Sequence, residues 1–139
     1  MTKVILLLAA AALAACSTIM PKEIPPKPFV GTRWAVVLQL PLPGEPPNFR
    51  FGDGRMEGFG GCNRVSARYV QDTVGTRYIT LGKIETGMRG CDAAARNAEQ
   101  HVLAILQNVT SYTIDGENMI MTGSGGSLQM HAIPLDAKY

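Results

Sequence analysis

From residue 32 onward the chain is a succession of short alternating segments cut by Gly, Pro and Asp-Gly turns, interrupted once by a helical period. Residues 32–40 alternate around Trp34 and Val36 and end at the Pro- and Gly-rich stretch 41–47. Residues 48–51 and 55–59 flank Gly52-Asp53-Gly54, a hairpin signal because Asp-Gly tolerates the positive φ such turns demand. Residues 64–70 place Val65, Ala67 and Tyr69 on one face and Arg64, Ser66 and Arg68 on the other. Residues 71–75 read as a turn, and 77–81 and 83–86 as further short strands. Then the period changes. Asp92 is a good N-cap, and 93–108 carries Ala95, Ala98, Val102, Ile105 and Leu106, with Val109 beyond, on one helical face. Residues 110–114 and 118–122 surround Asp115-Gly116-Glu117, a second hairpin signal. After the turn at 123–126, residues 128–133 form a last strand. Short antiparallel strands at this spacing predict a mainly β (α+β) domain, a curved sheet or partly open barrel. The single α-helix must cover a mouth or face of it to bury its apolar stripe.

The N-terminus has a different character. Lys3 precedes an apolar run over residues 4–15, which ends in Leu13-Ala14-Ala15-Cys16. The run is too short to span a bilayer, which takes about 20 residues, and fits the apolar region of an export signal. Ending in Cys, it reads as a lipobox. Residues 1–15 are thus expected to be a lipoprotein signal peptide, with Cys16 the lipidation site and the new N-terminus. Residues 16–29 carry Pro21, Pro25, Pro26 and Pro28 and read as an extended tether. Residues 30–139 are the expected folded domain. Ser17, rather than Asp, follows Cys16, which by Gram-negative sorting rules favours the outer membrane, facing the periplasm.

Removal of residues 1–15 leaves 124 of 139 residues, a length that suits one domain. Loss of Lys3 leaves 12 basic residues against 11 acidic ones. That near-neutral balance gives no sign of the basic stripe that marks nucleic-acid binding. With Cys16 taken by lipid, Cys62 and Cys91 form an even pair in an oxidising compartment, where a disulfide is expected. A metal site is the weaker reading. The cysteines lack C-x-x-C spacing, and His101 and His131 fall at no recognised ligand interval.

Two segments are more specific than the rest: Gly58-Phe59-Gly60-Gly61-Cys62-Asn63-Arg64 and Thr86-Gly87-Met88-Arg89-Gly90-Cys91. Together they resemble the META-domain family, to which HslJ-like bacterial heat-shock lipoproteins belong. The order of the Trp34 strand, the Phe-rich hairpin with Asp53-Gly54-Arg55, Tyr69, a helix with Glu99 and Leu103, and Tyr112-x-Ile114 fits as well. Ala67 stands where the family often has Gly, and Met119 and Met121 stand in place of leucines. The resemblance covers about residues 32–130 and implies a curved, lipocalin-like antiparallel architecture with one helix. It implies an envelope-stress or drug-tolerance role with no agreed enzymatic activity.

The residues offer little else for chemistry. Gly60-Gly61 lacks the following helix and Lys-Ser/Thr of a phosphate loop, so a bulge that re-aims Cys62 is the expectation. Asp53 and Glu57 could pair for acid–base work, but flank a turn expected to be solvated. Met88, Met119, Met121 and Met130 either fill the core or line an adaptable apolar cavity. Asn63, Arg64 and Arg89 lie close to Cys62 and Cys91 in sequence, so a disulfide would bring them together as a contact surface. Two neighbouring arginines need a negative partner. Either Glu85, Glu99 or Asp92 supplies it internally, or an anion from outside does.

The leading expectation is a non-enzymatic outer-membrane lipoprotein that supports envelope integrity or stress tolerance, monomeric and without cofactor or metal. It would contact the membrane through its lipid, together with an envelope partner that the sequence does not name. A carrier of a small apolar ligand is the first alternative. A periplasmic inhibitor of a lysozyme-like enzyme is the second, on the faint likeness of Ser66-Ala67-Arg68-Tyr69 to such inhibitors, though their later Tyr-x-x-x-Thr-Lys-Gly segment has no counterpart.

Overall fold

The computed structural model describes residues 20–72 and 77–139. Cys16 and the apolar run before it lie outside these residues, as does part of the turn expected at 71–75.

Among the described residues nine strands and one helix follow in order: β1 (Arg33–Val36), β2 (Asn48–Gly52), β3 (Arg55–Phe59), β4 (Arg64–Gln71), β5 (Ile79–Leu81), β6 (Glu85–Thr86), α1 (Ala93–Gln107), β7 (Val109–Asp115), β8 (Asn118–Gly123) and β9 (Gly126–Ile133). All strand pairs are antiparallel, in the order β5-β4-β3-β2-β1-β9-β8-β7, with β6 beside β4. The first strand is shorter than its alternation suggested: it ends at Val36, although the Val37 amide still donates to the Gln129 carbonyl of β9 at 2.8 Å before the Pro-rich loop. The β2–β3 hairpin turns through Asp53 and Gly54 at φ +50° and +70°, the positive pair that a two-residue turn of this twist needs.

The sheet curls until its ends meet. Tyr78 bridges to Ser111 on β7, the Tyr112 amide donates to the Arg77 carbonyl at 3.1 Å, and Gln71 donates to the Tyr112 hydroxyl. This makes a nearly closed barrel. Helix α1 lies across it against β9, β8 and β5, burying Val102, Ile105 and Leu106. Asp92 caps it, accepting from the Ala95 amide at 2.8 Å.

The barrel interior is filled. Trp34, Phe49, Phe51, Met56, Met119 and Met121 are each fully buried, and Met130 is nearly so. Methionine suits this role because its unbranched thioether fills irregular gaps between rings. Recesses such as those around Arg33, Arg50 and Arg64, or between His101 and Val37, are open grooves on the outside.

The segment before β1, expected to belong to the tether, packs on the barrel at Phe29. Phe29 is buried, stacked at 4.4 Å between ring centroids on both Phe51 and Tyr112 and edge-on to Tyr69 at 5.9 Å. Its carbonyl accepts from the Trp34 indole at 3.3 Å, and the Lys27 amide donates to the Gly116 carbonyl at 2.8 Å. Phe29 thus plugs the barrel end. The physical reason is the open ring cluster there: three aromatic side chains need a fourth to exclude water. The buried hydrophobic residues run from Phe29 to Met130, which makes residues 20–139 a self-contained folding unit.

Candidate functional site

The two motif segments meet at one end of α1. After β3, Gly60 to Asn63 form a tight loop in which the Gly60 amide donates to the Asn63 carbonyl at 2.8 Å and Gly61 sits at φ +119°. This arrangement turns the amides of Cys62 and Asn63 in one direction. They point at a carboxylate. Glu99 Oε2 accepts from the Cys62 amide at 3.0 Å and the Asn63 amide at 2.6 Å. Glu99 Oε1 accepts from Asn63 Nδ2 at 2.9 Å, and Asn63 Oδ1 accepts from the Arg89 amide at 2.6 Å. Glu99 and Asn63 are both buried. A buried carboxylate is stable only when its oxygens are well provided with donors, and here protein amides provide them.

The neighbouring residue types follow from this clamp. A Cβ on Gly60 would lie 2.7 Å from Glu99 Oε2, so the carboxylate needs glycine there. The loop is thus a cradle for a side chain of the protein itself, not the bulge that the sequence suggested. Cys62 and Cys91 are joined in a disulfide with Cα atoms 5.9 Å apart, which ties the Arg89 loop to the same cradle. In chain order the bridge spans 29 residues and encloses β4, β5 and β6.

The proposed contact residues separate. Asn63 is inside the clamp, 7% exposed, and presents no surface. Arg64 and Arg89 are exposed. None of the carboxylates expected to pair with them does so: Glu99 is held by amides, Asp92 caps the helix, and among the described residues no ion pair joins Glu85 to either arginine. Arg64 projects from β4 beside the Phe59 position of β3, and Arg89 lies on the loop after β6.

Asp53 and Glu57 are both exposed, with Glu57 accepting from Arg55 Nε at 3.1 Å. His101 is exposed on α1, and His131 hydrogen-bonds Asn118 at 3.1 Å. Among the described residues no group of three or more His, Cys, Asp or Glu side chains is placed to hold a metal ion. Met119, Met121 and Met130 are core residues, whereas Met88 is wholly exposed beside the disulfide loop. The cavity that a carried apolar ligand would occupy is taken by these methionines and by Trp34, Phe49 and Phe51.

Sequence reasoning missed the central role of Glu99, treating it as one possible partner of an arginine. The signal was present. Glu99 sits between Ala95 and Val102 at helical spacing, a carboxylate on the apolar stripe, and a charge placed there must find partners.

Comparison with known proteins agrees with this architecture. Solved structures similar in fold include the NMR structure of a protein from Burkholderia xenovorans, with 15% identity and TM-score 0.59 over 76% of this chain and 83% of that one. A second NMR structure has 15% identity and TM-score 0.60, covering 76% and 92%. The crystal structure of a DUF4847 family protein from Bacteroides vulgatus ATCC 8482 has 14% identity and TM-score 0.53, covering 74% and 93%. At such identities these likenesses concern the fold alone. Among curated proteins none is significantly similar to the chain. The META domain model matches residues 27–133, beginning at the lysine whose amide bonds Gly116, and the chain belongs to the META domain family.

Proposed function

We propose that the protein is a non-enzymatic, monomeric lipoprotein of the bacterial envelope. It is anchored through Cys16 in the outer membrane, faces the periplasm, and supports envelope integrity under stress or drug exposure. The observation that carries this reading is the commitment of the motif's cysteines, loop amides and Asn63 to internal bonds. Cys62 and Cys91 are spent on each other, the Cys62 and Asn63 amides on Glu99, and the Asn63 side chain on Glu99 and Arg89. An active site needs a nucleophile, base or oxyanion donor free to meet a substrate, and the motif's cysteines, Asn63 and loop amides are instead committed to a scaffold. The lipobox supports the address. A diacylated, then N-acylated cysteine exceeds the two signals that stable anchoring takes.

The test is a strain lacking the protein, challenged with heat, detergent and antibiotics. Restoration of growth by the wild-type chain and failure of Cys16→Ser to restore it, with loss of palmitate labelling and of membrane fractionation, is the expected result. Unchanged fractionation of the Cys16→Ser protein overturns the anchor. Turnover in hydrolase or transferase screens overturns the non-enzymatic role, and inhibition of lysozyme lost in Ser66→Ala or Arg68→Ala overturns the envelope-integrity role in favour of an inhibitor.

A further inference from the structure

The barrel wall is electrically lopsided. Strands β1 to β4 carry five arginines, Arg33, Arg50, Arg55, Arg64 and Arg68, and a single acid, Glu57. Strands β7 to β9 carry no lysine or arginine at all. In the register Arg33 is directly opposite Arg50 and Arg55 directly opposite Arg68, while Glu57 faces Arg50 from its other side. Like charges facing each other across a sheet destabilise it, and in each pair only one arginine, Arg33 or Arg55, is bonded within the fold. Sites that break local rules are where function is expected.

Two of the five are occupied internally. Arg33 is held by Glu45 at 2.7 Å and Asn48 at 2.9 Å, and Arg55 by Glu57 at 3.1 Å and Ser66 at 2.9 Å. Arg50, Arg64 and Arg68 are exposed, and their guanidinium groups have no hydrogen-bond or ion-pair partner among the described residues. Arg50 and Arg64 line one open groove of about 700 Å³ together with Arg33, Lys138 and two carboxylates, Glu45 and Glu57, so that cations outnumber acids in it by four to two. Guanidinium forks match phosphate oxygens in pairs, which a lysine cannot do.

The geometry points to the outer face of β1–β4 as a docking surface for an anionic phospholipid leaflet, read through its headgroup phosphates. The face is broad and open, with charge spread over several strands, as suits a surface better than a small molecule. Its affinity by three arginines alone is modest, and the choice of a bilayer rests on the anchored reading above. Cys16 lies eleven residues before the docked Lys27, a reach of about 34 Å in extended Pro-rich chain. A tether of that length holds the wall at high local concentration near the leaflet, so weak contacts suffice.

The test uses the unlipidated domain of residues 20–139, so that anchoring plays no part, with vesicles of phosphatidylcholine alone or mixed with phosphatidylglycerol. Cosedimentation with the anionic vesicles at low salt, lost at high salt, is expected. Combined Arg50→Ala, Arg64→Ala and Arg68→Ala should weaken binding about a hundredfold, each arginine near an anionic leaflet contributing roughly fivefold. Arg96→Ala on the helix should change nothing, and the triple variant should melt no lower than wild type. Equal sedimentation with neutral and anionic vesicles overturns the proposal, as does a triple variant that binds like wild type. Binding to soluble polyphosphate without binding to vesicles overturns it too, in favour of a polymer partner. Loss of palmitate labelling in the full chain is read separately, so failure of the wall and failure of the anchor are distinguishable.

Discussion

Glu99 and Asn63 are joined twice: the carboxylate takes the Asn63 backbone amide at 2.6 Å through one oxygen and its side-chain amide at 2.9 Å through the other. They are 36 residues apart in the chain, so this contact fixes the helix to the loop after β3. Removing the carboxylate by Glu99→Ala leaves the buried Cys62 and Asn63 amides without acceptors, at a cost of about 3 kcal/mol. Glu99→Gln, which puts a donor against Asn63 Nδ2, should lose less. Gly60→Ala should resemble Glu99→Ala, because its methyl group occupies the carboxylate's place. Urea titration of the three variants checks this, and an alanine variant at position 99 as stable as wild type would refute the clamp.

The disulfide closes a loop of 29 residues in sequence. Reduction should lower stability by about 3.5 kcal/mol in the chain-entropy account. Intact mass should rise by two hydrogens on reduction, and denaturant midpoints with and without reductant give the energy. Two titratable thiols in the native oxidised protein would contradict the bridge.

Phe29 is the residue that distinguishes a plugged barrel from a tethered one. Phe29→Ala removes a ring stacked on Phe51 and Tyr112 and should cost about 3 kcal/mol. A chain started at Val30 should be destabilised by at least as much. Lys27→Ala, which breaks only an exposed pair with Glu117 at 3.6 Å, should cost under about 1 kcal/mol. Thermal melts of the three proteins decide it: equal melting of Phe29→Ala and wild type would return residue 29 to the tether.

Burial pushes the Tyr69 phenol above its usual value of 10.0; a backbone hydrogen bond at Gly54 opposes the shift, and the charge of Asp53 adds to it. A raised native pKa means that the folded state favours the neutral phenol. The stabilisation is complete below pH 10 and is lost as pH climbs from there through the native value. Melting curves between neutral pH and strongly alkaline pH should show a decline that is shallower in Tyr69→Phe. Identical slopes would place the alkaline decline elsewhere.

Most of the architecture was legible from short-range chemistry. Asp53-Gly54 announces its turn because few residue pairs tolerate φ of +50° and +70° together. Asp92 announces the helix start because its carboxylate reaches the amide three residues on. Strand alternation placed Val65, Ala67 and Tyr69 inward and Arg64 and Arg68 outward, as observed. Boundaries moved where neighbours overrode alternation. The first strand, read over 32–40, pairs as a strand only through Val36.

The sequence by itself determined the turns, the helix, the alternation of faces and the pairing of two cysteines, all of which depend on residues a few positions apart or on composition. Only the tertiary structure decided what Glu99, Phe29 and the arginines do. The acceptor of the Cys62 amide is 37 residues away, the rings around Phe29 come from β2, β4 and β7, and five arginines became one wall only when β1 to β4 were laid in register. Partners of buried and charged groups are chosen by where the closed sheet brings the chain together, and chain closure over tens of residues leaves no local pattern to read.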